Sequence, residues 1–209
     1  MPPAEPTVWV VDDDADVRGA VGMLLSSAGV RFESCPGGEE LLARLSPDAP
    51  GCVLLDLRMP RLSGLEVQRE LLARGLLQPV VFLSGHGDIP IAMRAVQAGA
   101  LDFLEKPFRD GQLLEAIERA LAVDRQQRAE GEARAQAQAR VASLTPREAD
   151  VANLIVEGLT SAEIAERLSL SRHTVDMHRL RLRRRLGATT SGDVVRMVLE
   201  GRAGNRPSS

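Results

Sequence analysis

The chain has 209 residues, 44% of them apolar, enough for one large or two small globular domains. No apolar run reaches the roughly 18 residues of a membrane span, and Met1 to Pro6 lacks the basic region and apolar core of a secretory signal. The net charge of −3 is uneven, with −7 over residues 1–122, +1 over 123–143 and +3 over 144–209, which predicts an acidic body and a basic body with different partners.

Thr7 to Val11 is β-branched and apolar, a buried strand. Trp9 within it reads as core. Asp12-Asp13-Asp14 follows, and Val17, Ala20, Val21, Leu24, Leu25 and Ala28 then recur at helical spacing up to Gly29. Val30 to Ser34 alternates as a half-exposed second strand, and Gly38 to Leu45 is a short helix. Cys52-Val53-Leu54-Leu55 is an apolar run of the kind that parallel sheets bury on both faces, and it ends in Asp56. Gly64 to Arg74 is helical, Val80 to Leu83 is a fourth strand, Ile91 to Ala98 a helix, and Leu101 to Leu104 a short fifth strand. A last helix starts near Asp110. Cys35 and Cys52 have neither metal spacing nor the density of a disulfide scaffold, so they are expected to be buried and reduced, as in a cytoplasmic protein. Strands alternating with helices predict a three-layer α/β sandwich on a parallel sheet.

The polar residues at the carboxyl ends of these strands are Asp12, Asp13, Asp56, Ser84 and Lys106. Ligands bind on that rim in open α/β sheets. Three nearby carboxylates repel unless a cation joins them, and hard oxygen ligands suit Mg²⁺, which binds readily alongside phosphate. A carboxylate can act as the nucleophile that forms an acyl phosphate, with Lys and a hydroxyl neutralising the transferring group. Lys106 is the only lysine in the chain. A compact ammonium enters a crowded phosphate site where a planar guanidinium does not fit. Pro107 after it suggests a cis bond that aims Lys106 inward. Asp14 reads as a helix-terminal charge, and His86 as a solvated loop residue.

Val10-Val11-Asp12-Asp13-Asp14, Leu55-Asp56-Leu57-Arg58-Met59-Pro60, Ser84-Gly85-His86-Gly87-Asp88-Ile89-Pro90 and Glu105-Lys106-Pro107-Phe108 together resemble a response-regulator receiver domain, the third stretch resembling the FixJ-type branch. The resemblance implies a flavodoxin-like fold with a five-stranded parallel sheet of order 2-1-3-4-5. It implies that Asp56 accepts phosphate from a histidine kinase. Asp12, Asp13, Asp56 and the backbone carbonyl of Arg58 would hold Mg²⁺. Ser84 would contact the phosphoryl group, Lys106 would pair with it, and Phe103 would swing inward as the hydroxyl moves. Read as a residue alone, Phe103 is equally a core aromatic.

Asp124 to Ala142 is almost entirely Ala, Arg, Gln and Glu, strong helix formers interrupted by Gly131. This predicts a helical linker over 123–143, without the Leu seam of a strong coiled coil. Leu144-Thr145-Pro146-Arg147-Glu148 is a helix start with Thr as N-cap, Pro in the first turn and Glu three on. Thr160-Ser161-Ala162-Glu163 is a second such box, Ser169-Leu170-Ser171 a tight turn, Arg172 to Leu186 a third helix, and Thr190 to Asp193 the start of a fourth. Four short helices with that turn make an all-α helix-turn-helix unit over 144–209. Its third helix carries Arg172, Arg179, Arg181, Arg183, Arg184 and Arg185, on the element that enters a major groove. Arg and Thr174 suit phosphates, Asp176 can accept from cytosine N4, and Met177 can touch a thymine methyl. Asp176 reads equally as an intrahelical partner of Arg179.

Leu144 to Glu148, Glu163-Ile164-Ala165 and Thr174-Val175-Asp176-Met177-His178 resemble the LuxR/NarL-type DNA-binding domain. The candidate DNA contacts are Arg172, Thr174, Asp176, Met177, His178, Leu180, Arg181 and Arg184. Asp176 and Leu180 depart from the basic or polar residues usual there, which leaves the bases read undetermined. The implied protein is a cytoplasmic transcription regulator, switched by phosphorylation at Asp56, that dimerises on promoter DNA and has a sensor histidine kinase and RNA polymerase as partners. Two alternatives stay open: a phosphate sink whose output is autodephosphorylation, and a DNA-binding protein indifferent to phosphate. No acid/base pair of a hydrolase is evident, so a classical enzyme is not expected.

Overall fold

In a computed structural model, the structure describes residues 5–85, 97 and 99–203. The chain divides into two compact units, Met1–Gln127 and Arg128–Ser209. The first contains β1 (Thr7–Val11), α1 (Ala15–Ser27), β2 (Phe32–Cys35), α2 (Gly38–Arg44), β3 (Gly51–Asp56), α3 (Gly64–Ala73), β4 (Val80–Ser84), β5 (Asp102–Glu105) and the start of α4 (Asp110–Ala142). The expected helix over Ile91 to Ala98 falls almost wholly outside the described residues, as does His86.

All strand pairings are parallel, in the order β2-β1-β3-β4-β5, as the receiver resemblance implied. Alternation along the strands sorts side chains to two faces. Trp9, Val11, Val53, Leu55 and Phe82 pack with Leu41, Val67 and Leu71 of α2 and α3. Val8, Val10, Cys52, Leu54, Val81 and Leu83 pack with Val21 and Leu25 of α1 and with Leu113 and Ile117 of α4. Both cysteines are buried and free, and burial pushes their thiols up, to about 11 for Cys35 and about 12 for Cys52.

The second strand starts two residues later than the pattern predicts. Gly29 takes a left-handed conformation (φ 69°), and Val30 still bonds back to the Leu25 carbonyl, so the helix ending consumes Val30. Side-chain caps hold the starts of α1 and α3. Asp14 caps α1 and Ser63 forms a full capping box with Glu66 on α3.

The second unit holds the end of α4, then α5 (Pro146–Val156), α6 (Ser161–Leu168), α7 (Arg172–Leu186) and α8 (Ser191–Ala203). Thr145 and Thr160 both form the expected capping boxes, with Glu148 and Glu163. Val151, Ile155, Ile164, Val175, Leu182, Leu186, Val194 and Val198 make its core. Ser169 in a left-handed conformation (φ 54°) makes the turn between α6 and α7. No helix among the described residues is long and apolar enough to cross a membrane.

Candidate functional site

Register brings the strand ends together. Val11 pairs with Leu55, Asp56 with Leu83, and Ser84 with Glu105. Asp12, Asp56, Ser84 and Lys106 therefore emerge side by side, from positions scattered over the chain. Asp12 is 1% exposed and Asp56 6%. Lys106 Nζ donates to Asp12 Oδ2 and to Asp56 Oδ1, both at 2.6 Å. The Lys106–Pro107 bond is cis. Among the described residues no other base bridges two buried acids.

The remaining oxygens are also held. Asp12 Oδ1 accepts from the Asp14 amide at 2.9 Å, and Asp56 Oδ2 accepts from the Arg58 amide at 2.7 Å. Burial pushes the Asp56 carboxyl above its usual range, and the Asp12 charge adds to this against the opposing pull of Lys106. A carboxylate whose charge is poorly tolerated is the more basic nucleophile. Burial works against the Lys106 ammonium too, but the hydrogen bonds it donates to both carboxylates outweigh it and hold Lys106 above the ordinary amine range.

Asp13 does not join this pair. It is exposed, and it lines a cavity of about 650 Å³ with Leu57, Arg58, Met59, Pro60, Ser63 and Leu65. Among the described residues, no three acids, imidazoles or thiols stand close enough together to hold a metal. Of the three carboxylates expected to share Mg²⁺, Asp12 and Asp56 form a buried pair and Asp13 is exposed. Lys106 balances charge on both Asp12 and Asp56. The donor chemistry still fits Mg²⁺. All three groups are hard oxygens, each bonded carboxylate oxygen keeps a second lone pair, and the cavity has room for the water that Mg²⁺ retains.

Ser84 Oγ donates to the Leu104 carbonyl at 3.3 Å, a long bond that is cheaply released. Phe103 is half-buried against the core on the α2–α3 side. Two supporting residues escaped the sequence reading. Arg18 Nη1 donates to the Asp12 carbonyl at 2.7 Å and pins the β1–α1 turn. A base in the opening turns of a helix, where acids are favoured, was the available signal. Gly64 lets α3 approach β3, since a Cβ there would sit 2.3 Å from the Asp56 carbonyl.

In the second unit α7 sorts its side chains by phase. Val175, Leu182 and Leu186 are buried. His178 and Leu180 are half-buried, and His178 lies near enough to Glu148 to help hold its carboxyl low. Arg172, Asp176, Met177, Arg181 and Arg184 are exposed, and Thr174 is half-buried, its hydroxyl bonded to Ser171. The arginines divide. Arg179 donates to Ser191 and so is turned toward α8, not toward Asp176. Arg185 donates to the Ser143 carbonyl at 2.7 Å and lies 3.4 Å from the buried Glu148 carboxylate. His173, exposed on the same outward stripe as Met177 and Arg184, was not singled out by sequence.

Both units match known protein families. The family described as response regulator receiver domain matches residues 8–118, and bacterial regulatory proteins of the luxR family match residues 142–198. The chain is 42% identical to the C4-dicarboxylate transport transcriptional regulatory protein DctR of Rhodobacter capsulatus, over 92% of this chain and 98% of that one. It is 38% identical to the transcriptional regulatory protein FixJ of Azorhizobium caulinodans, over 95% and 94%. A low-resolution structure of the response regulator StyR superposes with a TM-score of 0.85 at 40% identity, covering 94% of this chain and 100% of that one. Receiver domains generally bind Mg²⁺ in an acidic pocket and take part in signalling with a histidine kinase. Carrying a receiver and a LuxR-type output domain in order, the chain belongs to the two-component response regulators and is a phosphorylation-dependent, DNA-binding transcription regulator.

Proposed function

We propose that Asp56 is the residue that accepts the phosphoryl group. The observation that carries this is the Lys106 ammonium shared at 2.6 Å between the two buried carboxylates at the carboxyl rim of the sheet. An Asp56 oxygen attacks phosphorus as the phosphorus–nitrogen bond of the kinase phosphohistidine breaks, and the departing imidazole keeps the electron pair. Lys106 leaves Asp56 Oδ1 and pairs with a phosphoryl oxygen. Bound by Asp12, Asp13, Asp56 and the Arg58 carbonyl, Mg²⁺ would neutralise charge on the transferring group. Ser84 gives up its long bond to Leu104 and donates to the phosphoryl group, and Phe103 follows the hydroxyl inward. Water later cleaves the acyl phosphate, releasing inorganic phosphate and restoring the carboxylate; acceptance and this hydrolysis are the only chemistry assigned to this chain.

The output reading follows the exposed face of α7. Arg172, Thr174, Arg181 and Arg184 hold phosphates, while Asp176, Met177 and Leu180 face base edges and His178 sits at the flank. The receiver spans 1–122, the linker 123–143 and the output domain 144–209. Phosphorylation favours a homodimer that binds two half-sites on promoter DNA and engages RNA polymerase, in the cytoplasm. The test is labelling by acetyl phosphate with Mg²⁺. Asp56→Asn should abolish label, and label surviving that change sinks the assignment. Equal promoter affinity with and without a phosphoryl mimic would instead support a regulator indifferent to phosphate.

A further inference from the structure

We propose that Arg140, on α4 and not on the DNA-reading helix, is a positioning residue for DNA recognition: it latches the carboxyl end of α7. Helix α7 ends in a Schellman motif, with Ala188 N bonded to Arg183 O and Gly187 N to Arg184 O. The motif leaves the Leu186 carbonyl, at the negative end of the helix dipole, needing a donor. Arg140 Nη1 supplies it at 3.2 Å. The guanidinium lies over Gly187, whose left-handed conformation (φ 70°) makes the turn and whose missing Cβ would stand 3.2 Å from Arg140 Nη1.

The bond is reciprocated. Arg185, in the last turn of α7, donates at 2.7 Å to the Ser143 carbonyl just beyond the end of α4, and its other side faces Glu148. Ala137 is buried, and Val141 packs on α8, where a Cβ at Gly201 would come within 2.7 Å of Val141 Cγ2. The final turn and a half of α4 is thus built into the second unit. Two arginines exchanged between α4 and α7 fix where α7 ends. A residue remote from the exposed stripe of Met177 and Arg184 therefore sets how that stripe is presented.

This inference rests on the reading of α7 as the helix that enters DNA. Its test uses the full chain, a duplex selected by that chain from a random-sequence pool, and a scrambled duplex of equal length. Arg140→Ala should weaken binding to the selected duplex about fivefold to tenfold, the weight of one charge-assisted hydrogen bond. Affinity for the scrambled duplex and the salt slope should stay as they were, and Arg140→Lys should restore most of the loss. Equal losses on both duplexes overturn the latch. With a salt slope shallower by about one they mark Arg140 as a phosphate contact, and with lost helicity they mark a merely structural residue. Arg184→Ala is the control. Loss there with no loss in Arg140→Ala refutes the latch alone, and no loss in either refutes the reading of α7 with it.

Discussion

Each unit holds an almost completely buried carboxylate whose proton affinity is shifted, and the two shifts run in opposite directions. Asp56 is 6% exposed and Glu148 is 3% exposed. Burial pushes the Asp56 carboxyl up. Burial also opposes the charge of Glu148, but bonds from the Thr145 amide and hydroxyl, with Arg185 and His178 nearby, pull it below its usual range. Asp56 has one backbone donor and half a share in an ammonium, whereas Glu148 has two donors at one oxygen and an arginine besides. Burial alone does not make a reactive acid. What differs is how fully the charge is met: the receiver unit keeps Asp56 under-satisfied, and the second unit uses Glu148 to hold helices together.

The sharpest way to break this comparison is Glu148→Ala. It strands the Thr145 amide and Arg185, and should lower the stability of the second unit by about 2–3 kcal/mol, read as a shifted urea midpoint in amide exchange of α5. For wild type, a lowered folded pKa means that the Glu148 contribution is present above its unfolded value of about 4 and is lost as pH falls through the folded value.

Asp56→Asn should do the reverse, raising receiver stability by about 1 kcal/mol at neutral pH. Because the folded Asp56 pKa lies above the unfolded one, proton binding favours the folded state below the unfolded value. That benefit is gone once pH rises through the folded value, so the Asn variant's advantage should shrink on acidification. Trp9, the only tryptophan and a β1 core residue, reports receiver unfolding by fluorescence. A neutral-pH loss of stability in Asp56→Asn would show that Lys106 satisfies the site after all.

A second contrast lies among the arginines of α7. Arg185→Ala should reduce stability by about 1 kcal/mol, seen in thermal melts. Arg181→Ala and Arg184→Ala should leave melts within about 0.5 kcal/mol while flattening the salt dependence of duplex binding by about one unit each. Smallest of all, Ser84→Ala forfeits only a 3.3 Å bond to Leu104 and should change receiver stability by less than about 0.5 kcal/mol. Its effect should appear in the lifetime of the phosphorylated protein.

Much of this was legible in the residues. The apolar run into Asp56, the lone Lys106 and the two capping boxes at Thr145 and Thr160 each state a local rule, and local rules survive folding. The element that the pattern misplaced, β2, lost its first residues to the helix ending at Gly29, which depends on a backbone conformation that hydrophobic alternation does not encode. Asp13 was grouped with Asp12 because both follow β1 at the carboxyl rim of the sheet. In the structure Asp12 is buried and Asp13 exposed, a difference set in the turn after β1, which strand alternation does not describe.

By itself the sequence determined the two-body plan, the parallel sheet and the residue types on its rim, because periodicity, capping and charge distribution act over a few residues at a time. Only the tertiary structure decided which charges meet. Lys106 reaches Asp12 and Asp56 through strand register across distant segments. Arg140 and Arg185 exchange carbonyl bonds across helices 46 and 42 residues apart in the chain. Electrostatic pairing depends on distances of a few ångströms between groups that no local rule places, and so it is settled when the core packs.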